Sequence, residues 1–462
     1  MKRRNTMIGG GLLLAAPAIL RTRSAWADGT PDASRLNGDL TPLGGERAAS
    51  KSGLVPAWTG GAASPPGWSQ GMPAPNLFPN QQPLFTVTAA NIDQYSAMLS
   101  SGQKLLIQRL GYQIPVYPSA RTACAPQYVY DNTMKNVGRA QAAPEGISRG
   151  IVGCINGAPF PILSSDPSLA GIQAVWNHLT RYTGHYYYYV FNQFVVGNGQ
   201  RSLTDSNKVW RRMNYYNPDF TPEDLTGNYT ETYLEFIAPP NAIGGKDFTG
   251  STLRPTVRPD AAFEYLVGEG RIREAPQAQY DIPATQFGDA INYDQVELFY
   301  GAPDRYDWKV AGKKEMIVPY NQYDMYNTST IEEVLGLQLI NHVRYEVHRV
   351  WVVEGTVKPG VRMTNPFRRL YLDEDTWAAL TSDLYDDQNN YQSYGENYVT
   401  FQPALPATIT AGDAWYNFQK SEYSGAFLFL GISDLLKSQP IDFSPVDASK
   451  FEPQAMANSG GL

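Results

Sequence analysis

The feature that most restricts the fold of this chain is a two-residue alternation of side-chain character. In VRYEVHRVWVVEG, the apolar residues Val343, Tyr345 and Val347 alternate with charged neighbours. Because successive side chains of a strand point to opposite faces, the pattern predicts a sheet with one covered face. Turn residues bound each run, which is typical of an antiparallel meander. Runs of this kind occupy residues 231–240, 261–276, 307–320, 343–360 and 368–380.

Helical periodicity is confined to a few segments. Residues 88–111 carry apolar side chains at helical spacing and predict one helix, or two short ones separated at Gly102. Residues 168–184 predict a second helix capped by Ser168, and Thr330 with Glu333 forms the capping box of a short third. Many strands with few helices predict an α+β protein whose helices lie on one face of the sheet.

The first residues have the pattern of an export signal. Three cations precede the 14-residue apolar run Met7–Leu20, and the small-x-small sequence Ala25-Trp26-Ala27 follows. The pattern predicts a signal peptide over residues 1–27, cleaved after Ala27. The run is shorter than the ~20 residues of a membrane span, so we expect no transmembrane segment in the mature chain. The two consecutive arginines also fit a twin-arginine signal, and the general export route stays open.

The next segment, residues 28–85, is rich in Pro, Gly and Ser and has little periodicity. It cannot bury a core alone, so we expect it to wrap over a single β-rich domain formed by residues 86–462. Loss of the five cations in residues 1–27 moves the net charge from −7 to −12. We therefore expect no nucleic-acid partner, because phosphate binding requires a basic face.

The chain has two cysteines, Cys124 and Cys154. In an exported protein the first interpretation is a disulfide, which would stabilise the fold by ~3–4 kcal/mol. Two buried free thiols are the alternative.

Motifs for catalysis or metal binding lack the context they require. GISRG at residues 146–150 matches GxSxG, but its flanks predict neither the strand nor the helix that a nucleophilic Ser148 needs. The four histidines match no zinc spacing, so we expect no metal and no cofactor. Carboxylates at residues 373–375 and 383–387 coincide with turn signals, which favours turns over calcium sites. Paired acids for glycoside cleavage stay open, because such pairs meet only in space.

Aromatic residues are the most distinctive part of the composition. The chain contains 30 Tyr and 9 Trp, and four consecutive Tyr occupy positions 186–189. In a strand these alternate, so we expect Tyr186 and Tyr188 to face inward and Tyr187 and Tyr189 to face outward. Such side chains suit a cavity that holds an apolar body with a polar end. Packing within the core is the other interpretation, and it accounts for most of them.

Residues 301–321, GAPDRYDWKVAGKKEMIVPYN, concentrate charge around two glycines. Ala311 and Gly312 lie between two alternating runs, which predicts a β-hairpin with its turn there and residues 313–315 at the turn. A fork between an arginine and carboxylates would fix the entry to the hairpin. The residues predicted to do so are Asp304, Arg305 and Asp307.

Several segments, in order along the chain, resemble one family. They include LTPLGGERAASKSGLVPAWTGG, VYPSARTA, GRIREAPQAQYD, DRYDWKVAGKKEMIVPYN and RRLYLDEDTW. Together they are similar to the bacterial domain of unknown function 1329 family over nearly the whole mature chain. The resemblance implies a periplasmic protein with a fold similar to the LolA and LolB lipoprotein carriers. That fold is a strongly curved antiparallel sheet, a half-open barrel whose concave face is covered by a few helices, and it holds acyl chains.

The resemblance also implies a function. We predict a non-enzymatic carrier of a hydrophobic, lipid-like molecule that works with an RND-type inner-membrane exporter and an outer-membrane protein. Two other classes stay open. A non-catalytic adaptor requires an exposed patch, for example at GAFLFLGISDLL (residues 425–436), and a hydrolase of envelope glycan or lipid requires a nucleophile or an acid–base pair.

Ligand contacts are predicted among aromatic residues on helix or strand faces of the family-like segments. They are Trp176, Tyr186, Tyr188, Tyr265, Trp308, Tyr345 and Trp351.

Overall fold

The computed structural model describes residues 29–69, 72, 75–275, 280–284, 288–327, 331–428 and 441–458. The predicted signal peptide and the capping residue Thr330 lie outside these ranges. Strands are β1 (Phe85–Val87), β2 (Ile114–Tyr117), β3 (Gln141–Ala142), β4 (Ile151–Val152), β5 (Tyr186–Gly197), β6 (Gln200–Arg212), β7 (Asn228–Ala238), β8 (Lys246–Thr252), β9 (Ala261–Leu266), β10 (Arg271–Glu274), β11 (Tyr306–Pro319), β12 (Tyr345–Val357), β13 (Phe367–Asp373), β14 (Ala379–Tyr385), β15 (Tyr391–Gln402), β16 (Ala407–Asn417) and β17 (Glu422–Leu428).

Helices are short and few beside these strands. They are α1 (Ile92–Tyr95), α2 (Ser101–Leu110), α3 (Gln127–Arg139), α4 (Pro167–Leu179), α5 (Tyr323–Asn327), α6 (Ile331–Val334) and α7 (Ala455–Asn458). Among the described residues, no helix is both long and apolar enough to cross a membrane.

One large, open and curved sheet dominates the structure. Within the described residues its strand order is β1-β2-β12-β13-β14-β15-β16-β17-β5-β6-β7-β8-β9-β10, and β11 pairs with β12. Neighbouring strands are antiparallel except for β2, which runs parallel to the first residues of β12. The predicted α+β class with a half-open antiparallel sheet is therefore confirmed.

A tight turn sets the register of the β5–β6 hairpin. Asn198 and Gly199 both have positive φ, at 53° and 71°, and Gly197 pairs with Gln200. An Asn-Gly pair with this backbone matches the right-handed twist of the strands it joins. The hairpin thereby pairs 24 residues, from Tyr186 opposite Arg212 to the turn, with one register shift between Gln193 and Phe194.

Helices α2 and α4 begin at residues whose side chains cap them. Helix α2 begins with a capping box between Ser100 and Gln103, and Gly102 lies inside the helix, where a Cβ would clash with the ring of Tyr394. Residues 88–111 therefore form separate short helices, one of the two predicted alternatives, but the separation lies at residues 99–100 and not at Gly102, which permits close helix–sheet contact. Helix α4 is capped by Asp166, ahead of the predicted Ser168, because Pro167 suits the first helical position.

Residues 306–319 form one continuous strand, so the predicted hairpin is wrong. β11 pairs with β12 from Tyr306 opposite Val357 to Pro319 opposite Tyr345. Its register shifts between Val310 and Gly312, which makes Ala311 the extra residue of a β-bulge. A bulge and a turn both interrupt alternation for one or two residues, and the sequence pattern does not separate them.

The predicted Arg–carboxylate fork is also absent from the contacts of the described residues. Arg305 lies 3.8 Å from Asp281 and stacks over the ring of Tyr280, which donates to Asp304. Asp307 is exposed and pairs along the ladder with Thr356. Arg305 therefore fixes the start of β11 to residues 280–281.

Cys124 and Cys154 are free thiols, so the predicted disulfide is wrong. Cys124 precedes α3 and donates to the carbonyl of Ala62. The backbone after Cys154 packs at the other end of the helix, where Asn136 donates to the Ile155 carbonyl. Helix α3 thus separates the two thiols, and burial raises the pKa of Cys154 to about 12 and that of Cys124 to about 11.

A buried charge cluster joins the N-terminal segment to the sheet. Arg121 makes a bidentate ion pair with Asp375, at 2.6 and 2.7 Å, and contacts Glu374 at 3.3 Å. Arg349 binds Glu374 at 2.6 Å and donates to the carbonyl of Glu46. These four charged side chains are at most 7% exposed. Residues 373–375 do form a turn, but it is part of the core.

The polar face of β12 was expected to face solvent, but it is buried as well. Arg344, Glu346 and His348 are all buried, and Glu346 accepts from both Arg344 and His348. The alternation in this strand therefore separates an apolar buried face from a polar buried face.

We expect Arg121→Met to lower the free energy of unfolding by ~3–5 kcal/mol, because Asp375 would be buried without its cation. Urea titration followed by circular dichroism measures this. Arg35→Met is the control: Arg35 pairs with Asp39 in an exposed salt bridge, so its loss should cost less than ~1 kcal/mol. Equal effects of the two substitutions would contradict a structural role for the buried cluster.

Candidate functional site

A large cavity lies on one face of strands β5 to β9. Its apolar wall includes Tyr189, Phe191, Val209 and Leu234. Tyr189 pairs with Val209, and Val209 with Leu234, so these side chains leave the same face of the sheet. The empty space is about 1090 Å³, counting the part open to solvent.

Residues 280–284 and 288–301 cover this face, and we call them the roof. Tyr293, Val296 and Tyr300 of the roof line the cavity. The roof is fixed to the sheet by hydrogen bonds: Trp415 donates to the Gln295 carbonyl at 3.0 Å, and the hydroxyls of Tyr300 and Ser251 lie 3.0 Å apart. The roof has little regular structure of its own, so its position depends on such contacts.

A second cavity adjoins the first beneath the roof. It shares Tyr189, Phe191, Arg211, Val296 and Glu297 with the first. Its remaining lining comes from β5, β16 and β17 and from Thr183. The two cavities therefore form an elongated site that follows the face of the sheet from β16 to β9.

An ion group lies where the two cavities meet. Glu297 of the roof binds Arg211 at 2.9 Å and also pairs with Arg181. Burial and the charge of Arg211 lower the pKa of Arg181 to about 9. The backbone N–H of Glu297 donates to Asp413 at 3.0 Å. Glu297 thus pairs with both cations, and its contacts tie the roof to β6 and β16.

Burial is the main influence on three carboxyl groups of the wall. Burial, and then the charge of Glu264, raise the pKa of Asp247 to about 7. Burial raises the pKa of Asp260 to about 6 and that of Asp413 to about 7. Near neutral pH these groups are partly protonated, so the wall offers neutral hydrogen-bonding groups among apolar side chains.

Three of the predicted ligand contacts lie on the other face of the same strands. Tyr186, Tyr188 and Tyr265 contact an aromatic cluster with Trp210 and Phe451, under residues 441–458. The expected orientation of the Tyr run is therefore wrong: its odd-numbered members line the cavities. Alternation predicts that the even- and odd-numbered tyrosines point to opposite faces of the sheet. Which face borders a cavity depends on the segments that cover each face.

The other four predicted contacts are core residues. Trp176 donates to the Ile147 carbonyl, and Trp308 donates to the Pro303 carbonyl. Trp351 stacks parallel to Trp377. None of these three residues lines the two cavities beneath the roof. Their role as ligand contacts stays a prediction.

Tyr345, the last of the seven, belongs to a buried tyrosine–glutamate cluster. Its hydroxyl donates to Glu396 at 2.8 Å, as do the hydroxyls of Tyr394 and Tyr398 at 2.9 Å. Burial raises the pKa of Glu396 to about 7 despite these three donors. The cluster fixes β12 against β15.

His348, Asp373 and Asp375 lie close enough to share a metal ion. Their ligand atoms already have protein partners: Arg121 binds both oxygens of Asp375, Tyr320 donates to Asp373, and His348 contacts Glu346. This group is therefore explained as part of the buried charge cluster.

The model of a family described as "Protein of unknown function (DUF1329)" matches residues 86–457. This chain belongs to the DUF1329 family. It is 33% identical to the uncharacterized protein PA3922 of Pseudomonas aeruginosa over 476 residues, which covers all of both chains.

Two solved structures resemble this DUF1329 protein at low sequence identity. A DUF1329 family protein from Desulfovibrio piger is 13% identical, with a TM-score of 0.44, over 63% of this chain and 100% of that one. A putative outer membrane lipoprotein-sorting protein domain from Vibrio parahaemolyticus is 10% identical, with a TM-score of 0.42, over 63% of this chain and 99% of that one.

The raised pKa of Asp413 predicts that the stability of the fold decreases as the pH rises. The folded protein keeps this proton up to about pH 7, whereas the unfolded chain releases it near the ordinary value of 3.8. Folded protein thus binds more protons between these values, and the free energy of unfolding decreases as the pH rises, by up to ~4 kcal/mol from this group. Asp413→Asn should flatten the profile between pH 4 and pH 7, as measured by urea titration.

The matched substitution is Asp131→Asn, at an exposed position on α3. A profile that is equally steep in wild type, Asp413→Asn and Asp131→Asn would show that Asp413 is not the group responsible.

Proposed function

We propose that this protein is a periplasmic carrier that binds a hydrophobic, lipid-like molecule beneath the roof. The observation that carries the proposal is the elongated cavity itself, whose wall combines aromatic and aliphatic side chains with six ionisable ones. Sites of this composition bind molecules with an apolar body and a small number of polar groups.

The expected affinity suits transport. Burial of ~300 Å² of apolar ligand surface gains roughly 7 kcal/mol, and immobilisation costs about 4–15 kcal/mol, depending on the model. The net affinity is therefore modest, and a carrier must release its cargo at a target membrane.

The family resemblance supports a place between the two membranes, with an RND-type exporter and an outer-membrane protein as partners. The adaptor alternative expects an exposed patch at residues 425–436. Phe427 is buried, while residues 429–436 lie outside the described ranges.

A cavity-filling substitution tests the proposed site. Thr232 lines the cavity beside Arg211 and is half-buried, so Thr232→Trp should fill space without disturbing the strand. We expect binding of the neutral fluorescent probe N-phenyl-1-naphthylamine to weaken by about tenfold or more, which corresponds to ~1.4 kcal/mol. The measurement is a fluorescence titration, combined with native mass spectrometry of protein purified from its own periplasm.

Two variants accompany it. Val257→Trp places the same side chain at an exposed position and should not change binding. Trp351→Ala tests the sequence-based site and should weaken binding only if that site holds the probe. Unaltered binding in Thr232→Trp would remove the cavity from consideration.

Export predicts a defined N-terminus. Protein recovered from the periplasm should begin at Asp28, because cleavage after Ala27 follows the small-x-small pattern. N-terminal sequencing measures this, and a retained residue 1 would contradict the proposed signal peptide.

A further inference from the structure

Two buried amides on the cavity face have no hydrogen-bond partner. The side chains of Gln193 and Asn207 are fully buried, and neither the oxygen nor the nitrogen of either amide is bonded within the described structure. An unsatisfied buried polar group costs ~1–3 kcal/mol. Such groups in native proteins call for an explanation, and a ligand that satisfies them is one.

Strand register places these amides at one end of the cavity. Gln193 lines it directly, and Asn207 pairs with Phe191, which also lines it. Asp205 is the register partner of Gln193, so its buried side chain leaves the same face. The end of the cavity near the β5–β6 turn is therefore polar.

Two acids lie near the amides: Asp205 is at this end, and Asp247 follows at the level of its register partner Leu234. Nearby cations are engaged elsewhere. Asp247 lines the cavity, and burial with the charge of Asp247 raises the pKa of Asp205 to about 8. Glu264, opposite Asp247, lies 3.5 Å from Arg273. Lys246 donates to the Met456 carbonyl and stacks on Tyr265, which is on the other face.

The cation of the cavity lies at the opposite end. Arg211 is four residues from Asn207 along β6, or about 13 Å at the usual strand rise, and Glu297 already binds it. Between the two ends lie Val209 and its neighbours Tyr189 and Leu234.

We propose, on the basis of the function above, that the polar end selects a cargo whose head group donates hydrogen bonds and carries no negative charge: a long-chain alcohol or amine. The carboxamide oxygens and the ionised carboxyl group of Asp247 accept from such a head, and the carboxamide N–H groups donate to the oxygen of an alcohol. Above the pKa of Asp247, about 7, a carboxylate or phosphate head would instead meet an ionised acid, and the mutual repulsion disfavours binding.

The test compares three ligands with one chain and different heads: dodecanol, dodecylamine and dodecanoate. Each displaces N-phenyl-1-naphthylamine from the full mature protein at pH 7.5 in a fluorescence assay. Dodecanol or dodecylamine should bind about tenfold more tightly than dodecanoate, the amount expected for one well-placed hydrogen bond. Asp247→Asn should weaken only the amine and thereby separates the two accepted heads.

Gln193→Leu tests whether the polar end of the cavity binds the head group. It replaces an unpartnered amide with an apolar side chain of similar size, so the protein should still fold. Because Gln193 lines the cavity, each ligand is compared with the neutral probe in the same variant. The preference over dodecanoate should fall at least about fivefold, consistent with the loss of one hydrogen bond. Asn207→Leu tests the same loss of preference over dodecanoate at the second amide.

The outcomes separate this inference from the proposed function. Equal affinity for the three heads, tighter binding of dodecanoate, or an unchanged preference in both leucine variants overturns the inference while the cavity still binds the probe. Failure to bind the probe or any dodecyl chain overturns the proposed function as well.

Discussion

The ion pairs of Arg121 and Arg349 with Asp375 and Glu374 are the interactions on which the rest of the architecture depends. They join the loop after β2, the strand β12 and the β13–β14 turn, and through the Glu46 and Ala48 carbonyls they also hold the N-terminal segment. Separating a buried charge from its partner is strongly destabilising, so these elements cannot move independently of one another. Together with the Glu396 tyrosine cluster, they make the β11–β15 half of the sheet a rigid, filled body.

The β5–β9 half is built differently. Its two faces are covered by irregular segments, residues 441–458 on one side and the roof on the other. The roof is attached through Asp294 to Arg368 and through Glu297 to Arg211, with apolar space left beneath it. One half of the sheet therefore provides rigidity and the other an internal site, and the roof connects them because Arg368 belongs to β13.

Sequence reasoning identified strands β7 and β9 to β13 and helices α2 and α4, because their side-chain periods are local properties. It did not predict helix α3 or strands β15 to β17. It missed the bulge at Ala311, since a bulge and a turn interrupt a strand in the same way. The buried role of Asp375 was missed because its partner Arg121 is 254 residues away. The cavity escaped prediction because residues 280–301 have no periodicity, and the choice between the two faces of the Tyr run rests on what covers each face.

The placement of the tryptophans has a spectroscopic consequence. No described tryptophan lines the two cavities beneath the roof, and Trp210, although on β6, lies on the opposite face of that strand. A cargo in this site would touch tyrosine rings but no indole. Indole emission would therefore sense loading only through the roof, where Trp415 donates to the Gln295 carbonyl, while tyrosine emission would report the cargo directly.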